Sequence, residues 1–148
     1  MNIFNVAKHF DAVETLHVEN NLSTKYNAQD FDYLLVLDFE ATCWDAKYIH
    51  KRAPEIIEFP CILFDVQKHE CVGEFQQYVM PTENYKLSSF CTQFTGIKQY
   101  QVDNGVPLNT ALMLFQQWLN EYINHYNLTF DIFQSLNKKC VFATWSDW

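Results

Sequence analysis

The chain has 148 residues, 49% of them hydrophobic and 17% aromatic, with only 3 Gly and 4 Pro; this is ample for one core and argues against a disordered or low-complexity chain. Ten Lys and Arg against 18 Asp and Glu leave a net charge of −8. That counts against an extended grip on duplex nucleic acid, and less against a site that holds a few nucleotides through metal ions, because the ions supply local positive charge.

Five scattered cysteines (Cys43, Cys61, Cys71, Cys91 and Cys140), odd in number and without a C-x-x-C pair, argue against a zinc ribbon or a disulfide framework. Asn2, Lys8, His9 and Asp11 interrupt the first 13 residues, which therefore lack the apolar core of a signal peptide. No stretch approaches the ~20 apolar residues of a membrane span. Without an export signal, Asn21-Leu22-Ser23 and Asn127-Leu128-Thr129 read as chance matches to the glycosylation pattern. The expectation is an intracellular protein of the cytoplasm or nucleus, with no membrane partner.

Residues 1–31 are polar and weakly patterned; they read as an N-terminal extension, with a short helix near Ile3 to Phe10. The domain is expected over 32–148. Tyr33-Leu34-Leu35-Val36-Leu37 is a short apolar run bounded by charge, suited to a strand buried on both faces. A second strand is expected over Glu55 to Val66, with Pro60 marking a bulge or an early irregularity. A turn at Lys68-His69-Glu70 leads to a third strand over Glu74 to Val79, and connections this short make an antiparallel meander.

Ser88 to Phe94 suits a short helix capped by serine and ended by Gly96. Leu108, Ala111, Leu112, Phe115, Trp118, Leu119, Tyr122 and Tyr126 recur at three- and four-residue steps, the stripe of an amphipathic helix that opens on Pro107. Cys140 to Thr144 is a last apolar strand. The order β-β-β, helix, β predicts an α/β sheet of the ribonuclease H-like type: a three-strand antiparallel meander, then a helical crossover to a parallel strand beside the first. At least one more helix and strand would complete it, so the fold is expected to be incomplete at the C-terminus, with an exposed sheet edge and poor solubility.

The chemistry lies at the end of the first strand. Alternation puts Asp38 and Glu40 on one face. Two carboxylates held there can share hard divalent cations such as Mg²⁺, which takes one or two carboxylates plus phosphate oxygens and water. An isolated D-x-E more often marks only where a buried strand meets solvent, so the surrounding sequence must decide.

That sequence resembles a known family. Leu37-Asp38-Phe39-Glu40-Ala41-Thr42-Cys43-Trp44 is similar to the first motif of the DEDDh 3′-to-5′ exonucleases, in the subgroup that trims histone mRNA 3′ ends, ribosomal RNA and small interfering RNA and includes the insect nuclease Snipper. Glu55-Ile56-Ile57-Glu58-Phe59-Pro60 resembles its second block, and Phe75 to Pro81 its third strand. Leu87 to Ile97 resembles its L-S-x-F-C-x-x-L-T-G-I segment, with Phe94 in place of the usual Leu. Several blocks in order are far more specific than one D-x-E.

The resemblance implies metal ligation by Asp38 and Glu40, with Glu40 bridging two Mg²⁺ ions that Mn²⁺ could replace. It implies substrate contact at Glu40, Ala41 and Thr42, with Ala41 approaching the terminal nucleotide through its backbone. It implies single-stranded RNA 3′ ends as substrate, and DNA as an alternative, with bases stacking on rings such as Trp44, Trp145 and Trp148. The family's third acid follows a Trp that aligns with Trp148, so Asp147 does not take that role. No His-x-x-x-x-Asp, which supplies the base and the fourth acid, occurs in the 148 residues, and neither His50, His69 nor His125 replaces it. Lys47, Lys51 and Arg52 read either as phosphate contacts or as a solvated loop. Two readings stay open: a metal-dependent 3′-to-5′ exonuclease, and a catalytically inactive nucleic-acid-binding fragment or incomplete reading frame. Little or no nuclease activity is expected from these 148 residues alone.

Overall fold

The computed structural model describes residues 30–45 and 53–144. The expected helix near Ile3 to Phe10, and nearly all of the expected extension, lie outside those residues.

The apolar run forms β1 (Tyr33–Leu37), followed after Asp38 and Phe39 by a two-residue strand, β2 (Glu40–Ala41). Two long strands come next, β3 (Ile56–Asp65) and β4 (Glu70–Tyr78), then two short helices, α1 (Ser89–Thr95) and α2 (Gln99–Asp103). The long helix α3 (Leu108–Tyr126), a two-residue strand β5 (Leu128–Thr129) and β6 (Lys138–Thr144) complete the order. β3 is central to the meander: β4 pairs with one of its edges, while β1 and β2 pair with the other, all antiparallel. β6 lies beside β1 in parallel, and β5 beside β6. The meander and the right neighbour for the returning strand are as the sequence predicts.

Several details differ. β4 begins at Glu70 because the turn over 66–69, with His69 at φ 58°, already places that residue opposite Asp65. The β3–β4 register shifts between Leu63 and Phe64 and the β2–β3 register between Glu40 and Ala41, and neither shift falls at Pro60. Pro60 lies between the last β1 partner, Cys61, and the β2 partner Glu58, where no residue is registered against it on that side and its missing N–H is tolerated. α2 was not expected because Val102 is its one buried residue and five residues carry no periodic signal. In α3, Leu108 and Leu112 extend the sequence stripe but are 39% and 47% exposed, since the sheet beneath the helix is engaged mainly through Ala111, Phe115, Trp118, Leu119 and Tyr122.

The main core lies between α3 and one sheet face. Tyr33, Leu35 and Leu37 of β1 alternate inward with Phe59, Cys61 and Leu63 of β3. Aromatic rings fill the layer: Phe59 touches Phe39, Phe75 and Phe115 at centroid distances of 4.7, 5.3 and 4.7 Å, and Trp118, Tyr122 and Tyr126 continue the seam to Tyr33. This is where much of the aromatic content is spent. On the opposite face the registered partners Val36 and Ile62 are 40% and 41% exposed.

A second cluster, Ile57, Leu87, Cys91, Ile97 and Val102, packs α1 and α2 against the start of β3, with Cys43 laid on it. α1 is sharply bounded: Ser88 Oγ accepts from the Cys91 N–H, and Gly96 ends the helix at φ 78°, a left-handed position that favours glycine. α2 is tied back by Gln99, whose carboxamide accepts from Leu87 N–H and donates to Tyr85 carbonyl. These two helices therefore sit beside the Asp38 to Trp44 segment.

Candidate active site

Asp38 and Glu40 do not lie on one unbroken strand. β1 stops at Leu37 and pairing resumes at Glu40, with a register shift between Glu40 and Ala41. The chain is nevertheless turned so that the two carboxylates act on one another. Asp38 is exposed and Glu40 half-buried, and the Glu40 carboxyl is raised above its ordinary range by burial first, then by Asp38 and by Glu58. Glu58 stands directly across from Glu40 in the β2–β3 register and accepts a short hydrogen bond from Gln76 Nε2. Among the described residues, none of these three acids is in an ion pair.

Three anions crowded at a strand end suit a hard divalent cation, which would relieve the repulsion that raises Glu40. The fit is partial: among the described residues no group of three or more His, Cys, Asp and Glu is arranged to hold a metal ion. Asp38 and Glu40 are the pair that could contribute ligands.

The residues after Glu40 are fixed from two sides. Thr42 is 2% exposed; its N–H donates to Glu55 carbonyl at 2.8 Å and its Oγ1 accepts from Glu55 N–H at 2.9 Å. The Thr42 side chain thus faces β3 rather than an open site, and what it offers is the placement of Ala41. On the other side, Ser88 Oγ donates to Cys43 carbonyl at 2.7 Å, and Cys91 Sγ approaches Ala41 carbonyl at 3.7 Å. The Cys43 thiol is pushed up to about 12 by burial, then by its hydrogen bond with Cys91 and by Glu40, so it is no nucleophile at neutral pH.

Beside this edge Trp44, Asp45, Ser88, Ser89, Phe90 and Gln93 line a recess of about 320 Å³. Phe90 stacks on Phe94 with centroids 5.7 Å apart and planes 8° from parallel, and the two rings are 40% and 75% exposed. Paired, solvent-facing rings at the rim of this recess form a surface on which a nucleobase could stack.

Of the residues singled out in the sequence, Asp38, Glu40, Ala41, Thr42 and Trp44 come together here. His69 and His125 lie elsewhere, in the β3–β4 turn and on the last turn of α3. Lys47, His50, Lys51, Arg52, Trp145, Asp147 and Trp148 lie outside the described residues. Sequence reasoning gave no site role to Glu55, Glu58 or Phe90, and read Ser88 only as a helix cap. Two glutamates in an otherwise apolar strand segment were the available signal.

A sheet of this topology, with Asp38 just past its central strand β1 and Glu40 opening β2, defines a nuclease domain of the ribonuclease H-like class. The family model described as "Exonuclease" matches residues 35–143, and the chain belongs to that family. It is 46% identical over 134 residues to human ERI1 exoribonuclease 2, covering 86% of this chain and 19% of that one. To the Drosophila melanogaster 3′-5′ exonuclease Snipper it is 40% identical over 129 residues, covering 85% and 46%. The solved nuclease domain of 3′hExo, a DEDDh family member bound to rAMP, superposes with a TM-score of 0.61 at 32% identity, covering 77% of this chain and 52% of that one. The chain therefore spans less than half the length of these two curated relatives. The DEDDh family is metal-dependent. A solved 3′-exonuclease, 35% identical with a TM-score of 0.55 and covering 77% of this chain and 46% of that one, shows 3′-end specific recognition of a histone mRNA stem-loop. Among the described residues, no helix is long and apolar enough to cross a membrane.

Proposed function

We propose that this chain carries the leading catalytic edge of a 3′-to-5′ exonuclease that hydrolyses single-stranded RNA from its 3′ end and releases 5′-nucleotides, with DNA 3′ ends as a second substrate. The carrying observation is the half-buried Glu40 with Asp38 beside it and Glu58 across from it. Asp38 and Glu40 are the metal ligands, with Mg²⁺ the resident ion and Mn²⁺ a substitute. Two such ions would supply the charge that stabilises the attacking and leaving oxygens of a phosphodiester. Glu40 would serve both ions, Ala41 presents backbone to the terminal nucleotide, and Thr42 fixes Ala41. Phe90 and Phe94 receive bases, which favours a single strand because the faces of a base inside a duplex are covered by stacking on its neighbours. Residues 32–148 form the nuclease portion and 1–31 an extension. None of the five cysteines is in a disulfide, which supports a reducing compartment, cytoplasm or nucleus.

A second reading is RNA binding without cleavage, favoured by the lack of a third ligand among the described residues. One experiment separates the two. The purified chain is incubated with 5′-labelled single-stranded RNA and DNA, with Mg²⁺, Mn²⁺ or EDTA, beside Asp38→Ala. A ladder of shortened RNA that needs metal and Asp38 supports the enzyme. RNA retention without shortening supports the second reading. Undiminished digestion by Asp38→Ala would remove Asp38 from the metal site.

A further inference from the structure

Glu55 is the last residue before β3, and its carboxylate gathers an unusual number of donors. Oε1 accepts from Thr82 N–H at 2.7 Å and Thr82 Oγ1 at 2.8 Å. Oε2 accepts from Asn84 N–H at 2.6 Å, and Glu83 N–H is shared between both oxygens at 3.2 Å. Asn84, 3% exposed, closes the loop by donating from Nδ2 to Ala53 carbonyl at 2.9 Å. A carboxylate inside a nest of successive backbone N–H groups is held in its charged form. Burial alone would raise Glu55, but these bonds outweigh it.

The same residue grips the metal motif with its backbone. Its N–H and carbonyl are the two partners of Thr42. The loop it clamps, Thr82 to Asn84, runs within four residues to Ser88, whose hydroxyl holds Cys43 carbonyl and caps α1. Ala41, Thr42 and Cys43 are thus fixed on one side by Glu55 directly and on the other by a helix that the Glu55 carboxylate helps to seat.

We infer that Glu55 is a positioning residue for substrate: by clamping the Thr82–Asn84 loop it fixes the Ala41–Thr42 edge that meets the terminal nucleotide. This rests on the substrate reading of Ala41 above. Asp38 and Glu40 are carried by the end of β1 and the start of β2, and the Glu55 side chain bonds neither. Loss of the clamp therefore affects substrate engagement more than the chemical step.

The test is Glu55→Gln. A carboxamide offers one acceptor oxygen where Glu55 offers two, so at least one of the four donors loses its partner. Hydrogen exchange, read by mass spectrometry on the intact chain, is expected to quicken at 82–84 and also at 41–43, which the side chain does not touch. With labelled single-stranded RNA, KM is expected to rise about tenfold with kcat within about twofold, equivalent to one lost hydrogen bond at the substrate edge. Thr82→Val, which removes one donor and keeps the backbone, gives the same pattern more weakly and serves if Glu55→Gln does not fold. Quickened exchange confined to 82–84, or a loss in kcat with unchanged KM, overturns the inference. If the chain does not cleave RNA, the exchange at 41–43 and the RNA dissociation constant decide it, while Asp38→Ala judges the metal reading separately.

Discussion

Glu40 and Glu58 face one another across β2 and β3 as registered partners, two carboxylates opposed on neighbouring strands beside a third acid, Asp38. Opposed like charges destabilise a strand pair by about 0.2–1 kcal/mol. Glu58→Gln keeps an acceptor for Gln76 and removes the charge, so Tm in EDTA is expected to rise by the equivalent of that amount. Adding Mg²⁺ should shrink the difference, because the ion screens the pair in the wild type. A lower Tm in EDTA would show that the two charges are not in conflict.

Phe94 is 75% exposed and stacks only on Phe90 among the described rings, so it holds little of the fold together. Phe94→Ala is expected to leave Tm within about 1 °C and to weaken single-stranded RNA binding by about 1–3 kcal/mol. Fluorescence anisotropy with a labelled oligonucleotide measures this. Phe94→Leu should lose less, since a branched side chain still covers a base face. Equal binding by all three proteins would move the base surface away from α1.

Glu55 makes part of the stability pH-dependent. Its carboxyl is lowered from 4.5 to about 2, so the folded state prefers it ionised. Its contribution is fully present above about pH 4.5 and is lost as pH falls from there through 2. After discounting for partial exposure it amounts to about 1–2 kcal/mol. Urea unfolding of wild type and Glu55→Gln should differ by that much at pH 7, draw together as pH falls below about 4.5, and converge only below about pH 2.

Gly105 admits no side chain: a Cβ there would lie 2.7 Å from Tyr78 carbonyl oxygen, the acceptor of the Val106 N–H at 3.0 Å. Gly105→Ala must push backbone from backbone, and about 1–3 kcal/mol of stability is expected to go. The equilibrium midpoint in urea reads it directly. An unchanged midpoint would mean that the α2–α3 connection yields freely.

The sequence made the scaffold legible where one local signal dominated. Tyr33 to Leu37 is apolar at every position and became β1; Ser88 and Gly96 bracket a helix by their own chemistry and became its caps. It failed where the outcome depended on partners far along the chain. The two-residue β2 exists because Glu40 and Ala41 meet β3, and α2 exists because Val102 and Gln99 find the α1 cluster and the Tyr85–Leu87 segment. No window of local residues contains those partners.

The candidate site divides the same way. Asp38, Glu40 and the ordered blocks after them were readable because residue type and spacing are properties of the chain, and they suffice to assign the lineage. Tertiary structure decided that Thr42 faces Glu55 instead of an open cleft, that Glu58 stands across from Glu40, and that Phe90 lines one recess with Trp44. Those relationships join residues 13 to 46 positions apart, and hydrogen-bond reach and like-charge repulsion act through space. The sequence by itself determined which groups were available; only the fold decided which of them meet.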